Sequence, residues 1–286
     1  MAKSKKFFYS WEDYEDGGKN AQTMIADILA DKELAELDEL IIGCWGESWE
    51  NSAQSIIDGI VENKDKFTGI KRLFVGDMDY EECEVSWIEQ ADYSGLWEAM
   101  PQLEGLTIKG STNLSLGNIE HENLKSLYII CGGIPKEVLA SVAGAKLPAL
   151  EVLSLYIGIE NYGFDGSVED IKAMLDKSEF PKLKELGILD SEIQDEIAEA
   201  VVSCKYMKQI ETLDLSCGTL TDKGGEVLLD VLPNFENIKN VNLEHHYLSD
   251  KMMKKLSELP ADVNVDEQQE DDEYDGEIYR YPLLTE

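Results

Sequence analysis

Apolar residues along this 286-residue chain recur in one compact motif rather than in the continuous stripes of long helices. Around position 213 the spacing is Ile210, Leu213, Leu215, Gly218 and Leu220, an I-x-x-L-x-L-x-x-G-x-L string. Ile238, Val241, Leu243, His246 and Leu248 fill the same five positions, as do Leu183, Leu186, Ile188, Ser191 and Ile193, and Leu124, Leu127, Ile129, Gly132 and Ile134. Partial copies begin at Leu37 (with Leu40 and Ile42), Ile70 (Leu73, Val75), Leu103 (Leu106, Ile108) and Leu150 (Leu153, Leu155). The eight starts lie 33, 33, 21, 26, 33, 27 and 28 residues apart. A period of this size marks stacked supersecondary units, each unable to bury its apolar face alone.

The element each copy predicts follows from side-chain geometry. In L-x-L the two apolar residues share one face of a short strand and the residue between them points the other way. Stacking such strands about 4.8 Å apart completes a parallel sheet. The returning arms show helical spacing instead. Ile56, Ile57, Ile60 and Val61 do so between Glu50 and Lys66, and a capping-box spacing at Ser86 predicts a helix toward Met100. Ser167, Thr221-Asp222 and Ser249-Asp250 open three more, and Glu192 to Lys205 carries another. Pro101, Pro148 and Pro181 fall just before strands, where helices must stop. Short strand alternating with helix, joined by right-handed crossovers, predicts an α/β leucine-rich-repeat solenoid: a horseshoe with a parallel β-sheet on the concave face and helices on the convex face. Residues 1–36, with a strand at Phe7 to Trp11 and a helix at Gln22 to Asp31, are expected to cap the first of eight repeats. The repeats and a last strand at Ala261 to Val265 occupy 37–265. In 266–286, eight acids crowd Asp266 to Glu277, and the expectation is a disordered acidic tail. Its apolar end, Tyr279 to Leu284, reads as a frayed terminus, with docking on the body or a linear binding motif as alternatives.

Charge sharpens the functional picture. Lys and Arg number 25 against 59 Asp and Glu, a net charge of −34. Nine of those acids and one base lie in 266–286, so −26 stays with the body. Such a field repels nucleic acid and anionic membrane and favours basic partners, although it also serves solubility alone. The five cysteines are odd in number and form no CxxC, so neither a disulfide framework nor a zinc knuckle is indicated. The apolar run after Lys6 is too short for a signal-peptide core and no stretch approaches a membrane span. A cytoplasmic location is the resulting expectation, without membrane or nucleic-acid partners.

The repeat register places candidate binding residues on one wall. Phe74, Tyr128 and Tyr156 supply apolar anchors, and Asp77, Asp190, Asp214 and Glu244 supply charge, with Lys109 and His245 beside them. Catalytic alternatives are thinner. Cys44, Cys131 and Cys217 share one repeat position but sit strands apart, which prevents a shared metal. His245 and His246 are adjacent and point to opposite faces, and His121 falls in a loop. His245 near Cys217 and Asp214 is the one triad-like grouping the register brings close. The carboxylates of Asp77 to Glu84 offer oxygen ligands for a divalent cation, but without EF-hand spacing, and a solvated acidic loop is the simpler reading. No P-loop, H-E-x-x-H, G-x-S-x-G or G-x-G-x-x-G string occurs. No cofactor, metal or catalytic residue is therefore assigned.

Longer strings carry a resemblance. Cys44-Trp45-Gly46-Glu47-Ser48, Gly76 through Gln90, Gly158 through Asp165, and Leu213 through Asp222 resemble a bacterial leucine-rich-repeat family with ribonuclease-inhibitor-like repeats and a locus-derived name. The resemblance runs from about the second helix to Asp250 and excludes the tail. The family carries no established activity, so it assigns no functional residue. Its genes often neighbour others resembling radical enzymes, an ATP-grasp ligase and a sulfatase-like hydrolase, which implies a scaffolding or substrate-presenting role. The functional expectation is a non-enzymatic module that binds a basic protein or peptide on an acidic concave wall. The alternatives are an accessory or catalytic component of a bacterial modification pathway and a nucleic-acid-mimicking inhibitor.

Overall fold

The computed structural model describes residues 3–284; Met1 and Ala2 of the expected cap and Thr285 and Glu286 of the expected tail lie outside the described residues. Each of the eight L-x-L copies contributes a strand, and one further strand lies at each end. In chain order they are β1 (Ser4–Phe7), β2 (Glu39–Ile42), β3 (Arg72–Val75), β4 (Gly105–Lys109), β5 (Ser126–Ile130), β6 (Val152–Gly158), β7 (Glu185–Ser191), β8 (Thr212–Asp214), β9 (Asn240–Asn242) and β10 (Asp262–Asn264). Each pairs in parallel with the next, so order in the sheet is order in the chain, with β1 and β10 at the edges. The chain is thus an α/β fold built on one ten-stranded parallel sheet.

Register explains its stability. Leu40, Leu73, Leu106, Leu127, Leu153, Leu186, Leu213 and Val241 pair in a single row. None is more than 1% exposed. Two residues further along each strand, Ile42, Val75, Ile108, Ile129, Leu155 and Ile188 form a second buried row. Burying one such side chain contributes about 1.5–3 kcal/mol, and a slip of one residue would turn a whole row to solvent. The residue between the rows stays half-exposed at Ile41, Phe74, Thr107, Tyr128, Asp214 and Asn242, so that face of the sheet is open.

The other face is covered by α1 (Trp11–Glu15), α2 (Ala21–Ala30), α3 (Gln54–Glu62), α4 (Leu96–Ala99), α5 (Lys136–Ala143), α6 (Val168–Lys177), α7 (Gln194–Val202), α8 (Asp222–Val231) and α9 (Asp250–Leu256). Neighbours touch in succession: α2 with α3, then α5 through α9. Ser167, Thr221 and Ser249 cap α6, α8 and α9 by accepting the amides of Asp170, Lys223 and Met252. Two expected elements differ. The first strand ends at Phe7, because Ser10 and Asp13 form a capping box that starts α1 at Trp11. The helix expected from Ser86 to Met100 is a short 3₁₀ turn, Val85–Trp87, followed by the single turn of α4. The backbone between them is spent on the next arm instead, with Gln90 and Tyr93 amides donating to Thr112 and Ser115.

A third difference concerns the tail. Where disorder was expected, β11 (Asp272–Tyr274) and β12 (Glu277–Tyr279) form an antiparallel hairpin. Its acids face water, Arg280 closes it through a bidentate pair with Asp271 at 2.6 and 3.0 Å, and the chain then returns to the sheet.

Candidate functional site

The open face deepens into a groove of about 520 Å³ where β6 to β9 end, lined by Tyr156, Leu189, Asp214, Ser216, Cys217, Asn242, Glu244, His245 and, from the tail, Glu267, Gln269 and Leu283. Four wall residues expected from the sequence meet there: Tyr156, Asp214, Glu244 and His245. Asp190 lies alongside, under the tail. Phe74 and Tyr128 remain on the half-exposed row of β3 and β5, outside the groove.

Backbone conformation at the strand exits shapes the floor. Asp190, Cys217 and His245 occupy one repeat position, as does Gly110. All four have positive φ: 57°, 64°, 58° and 100°. Glycine takes that conformation freely, whereas a side chain there costs about 1 kcal/mol or more. Three adjacent strands nonetheless carry an acid, a thiol and an imidazole at the bend. Their amides continue the ladder to the carbonyls of Ser216, Glu244 and Asp266 at 2.9, 2.7 and 3.1 Å. Strained residues of this kind cluster at functional sites, which makes the hollow the candidate site.

Electrostatics divides the groups. Asp214 accepts from the Ser216 amide at 3.0 Å, the Ser216 hydroxyl at 2.6 Å and Asn242 at 3.2 Å, and Glu244 is exposed. Both can present charge. Asp190 differs from its expected role as a wall charge. Burial pushes its carboxyl up to about 8, while the Leu284 and Leu283 amides pull the other way, and its Oδ2 has no hydrogen-bond partner. Burial likewise pushes the Tyr156 phenol up to about 12 and the Cys217 thiol up to about 11. His245 Nε2 donates to the Tyr281 carbonyl at 3.1 Å. Its neighbour His246 is buried, donates to the Val265 carbonyl at 3.0 Å and accepts the Leu248 amide at 3.1 Å, which makes it a structural turn-holder.

A thiol at about 11 rather than 9.0 holds about a hundredth of the thiolate at pH 8. Cys217 is therefore expected to react with iodoacetamide about a hundred times more slowly than a free cysteine at that pH, as read by mass spectrometry. Alkylation at the free-thiol rate would instead revive a nucleophilic role for the Cys217, His245 and Asp214 grouping.

Lys109 and the acidic loop account for one another. The Lys109 ammonium donates to the Met78 carbonyl, and Asp77 pairs with Lys6 at 3.1 Å. Burial lowers the Lys109 pKa, while Asp77, Asp79 and Glu82 oppose that shift. The loop closes on the protein's own cation, so Lys109 is not a free wall residue as expected. Among the described residues no group of three or more His, Cys, Asp or Glu is placed to hold a metal ion.

Sequence reasoning missed a second hollow of about 290 Å³, lined by Trp49, Tyr80, Glu81, Cys83, Glu84 and Trp87. Tyr80 is 65% and Trp87 57% exposed. The signal is present as aromatics interleaved with acids, in a stretch that reads as a solvated loop and a helix start.

No protein-family model matches the chain, and no curated protein matches it. Among solved structures, a crystal structure of a Bacteroides fragilis protein determined by structural genomics is 44% identical, with a TM-score of 0.87 over 93% of this chain and 75% of that one. The chain belongs to the family of that bacterial protein. A TM-score of 0.87 at that identity shows that the two proteins share their fold. No helix among the described residues is long and apolar enough to cross a membrane.

Proposed function

We propose that this protein is a leucine-rich-repeat scaffold, a curved solenoid with its sheet on the inner face, that binds a basic protein or peptide and performs no chemistry of its own. The observation that carries the reading is the open face. Helices cover one side of the ten strands, while the row between the two buried columns is half-exposed at Ile41, Phe74, Thr107, Tyr128, Asp214 and Asn242 and buried at Ser154 and Gly187. Repeat proteins commonly use such a continuous face for recognition. Asp214 and Glu244 supply carboxylates where the groove lies, and the second hollow sets aromatic rings beside Glu81 and Glu84, a combination that suits Lys and Arg side chains. A net charge of −34 adds long-range attraction for a basic partner. The protonated Cys217 thiol argues against the catalytic alternative.

The test compares two charge reversals of equal size. Fluorescein-labelled decalysine is titrated against the wild-type chain, an Asp214→Lys/Glu244→Lys variant, and a Glu169→Lys/Glu226→Lys control on exposed helix positions. The wall variant is expected to bind at least ten-fold more weakly at low salt, and the control within two-fold of wild type. Equal losses in both would reduce the attraction to net charge and remove the wall.

A further inference from the structure

The last described residues run along one side of the groove as a bound peptide would, with Leu283 in its lining. The Tyr281 amide donates to the Tyr247 hydroxyl at 2.9 Å. The Tyr281 carbonyl accepts from that same hydroxyl at 3.2 Å and from His245 Nε2 at 3.1 Å. Pro282 is buried, and lacking an N–H it leaves no donor unpaired there. The Leu283 amide donates to the Cys217 carbonyl at 2.8 Å, and the Leu284 amide donates to Asp190 Oδ1 at 2.8 Å. Arg280 lies over the Tyr247 ring, 5.7 Å from its centre. Two of the three left-handed strand-exit side chains, Asp190 and His245, therefore meet the tail directly, and the third, Cys217, meets it through its carbonyl.

We infer that the track beside this groove, made by Asp190, Cys217, His245 and Tyr247, is a peptide-binding site for extended segments of the form basic/aromatic-x-Pro-x-aliphatic, and that residues 280–284 are a built-in occupant that a partner's segment displaces. The inference deepens the reading of the protein as a peptide-binding scaffold and rests on it. Three observations support displacement rather than permanent burial. The hairpin that leads to the docked residues is exposed throughout, with Tyr274 and Ile278 74% and 59% accessible. β11 and β12 pair only with each other, so no sheet contact anchors them. Asp190 Oδ2 stays buried and unpartnered beneath the docked segment, so the occupant does not satisfy the site. A partner segment bringing an acceptor to the proton on that oxygen would hold it more tightly. The contacts to Tyr281, Leu283 and Leu284 all use the peptide backbone, which any extended chain supplies, while the Pro282 and Leu284 positions select the side chains.

The probe is a fluorescein-labelled synthetic peptide with the sequence of residues 277–286, titrated by fluorescence anisotropy against full-length protein. In the wild-type chain the tethered tail competes at an effective concentration on the order of 1 mM, which masks the track. In a full-length Pro282→Asp/Leu284→Asp variant the tail is dislodged and no core side chain changes. The peptide is expected to bind that variant saturably and at least ten-fold more tightly than wild type. Adding Tyr247→Phe to the variant should weaken binding several-fold, and a peptide carrying the same two aspartates should not bind. Equal binding to wild type and variant, or no saturable binding to the variant below 1 mM, would overturn the inference. Such a failure leaves the decalysine comparison unaffected, because that comparison reads Asp214 and Glu244 with the tail in place.

Discussion

Leu213→Ala is expected to lower the unfolding free energy by about 3–5 kcal/mol, the upper part of the range for removing a fully buried leucine. Leu213 is 0% exposed and pairs in register with Leu186 on one side and Val241 on the other. Its loss leaves a cavity that neither neighbour can fill, because both are locked in the same row by backbone pairing on their far sides. Close-packed interiors relax only partly around such a void. Asn240→Ala, at an exposed position on the adjacent strand, is the matched comparison and should stay within about 0.5 kcal/mol of wild type. Urea unfolding followed by circular dichroism measures both. A Leu213 variant as stable as the Asn240 variant would mean that the row does not carry the core.

The same row shows what the sequence made legible. Leu40 through Val241 were readable because a period-two apolar pair, repeated at near-constant intervals, has only one arrangement that buries every member. Features held by distant partners were not readable. Gln102, Gln209 and Asn237 each stand immediately before the first apolar residue of a copy. Each side-chain amide donates to two carbonyls of the preceding arm: Phe67 and Ile70, Phe180 and Leu183, Met207 and Ile210. The recurring amide was visible in the sequence, but its partners lie 26–35 residues away. Lys109 reads as a surface cation until the acidic loop folds over it. The tail was the largest miss. Eight acids in twelve residues have the composition of a disordered segment, and its order comes from Asp190, Cys217, His245 and Tyr247, placed in the fold 34–94 residues earlier. The candidate groove was half legible for the same reason. Register put Tyr156, Asp214, Glu244 and His245 on one wall, but nothing local to Asp190 foretold that the returning chain would bury it.

That burial gives the second large effect. In the unfolded chain Asp190 releases its proton near its ordinary value of 3.8, and in the fold near 8. Between those values the native state binds more protons than the unfolded state, so stability falls as pH rises. The contribution is intact below about pH 4 and is lost by the time pH passes 8. No lysine or arginine offsets it: the titratable groups that its charge reaches are Cys131, Tyr156 and Cys217, held at about 12, about 12 and about 11 and therefore neutral throughout. Asp190→Asn removes the titration while keeping an oxygen for the Leu284 amide, and asparagine tolerates the left-handed backbone at φ 57°. Near pH 4 the two proteins should match, since protonated Asp and Asn each leave one buried polar group unpaired. By pH 9 the variant is expected to be more stable by on the order of 3–5 kcal/mol, with a thermal midpoint about 10 °C higher. Melting both proteins at pH 5, 7 and 9 tests the sign, because the gap must widen with pH. A constant gap, or a wild type that gains on the variant as pH rises, would show that Asp190 is ionised in the fold and that the docked tail meets a carboxylate rather than a carboxylic acid.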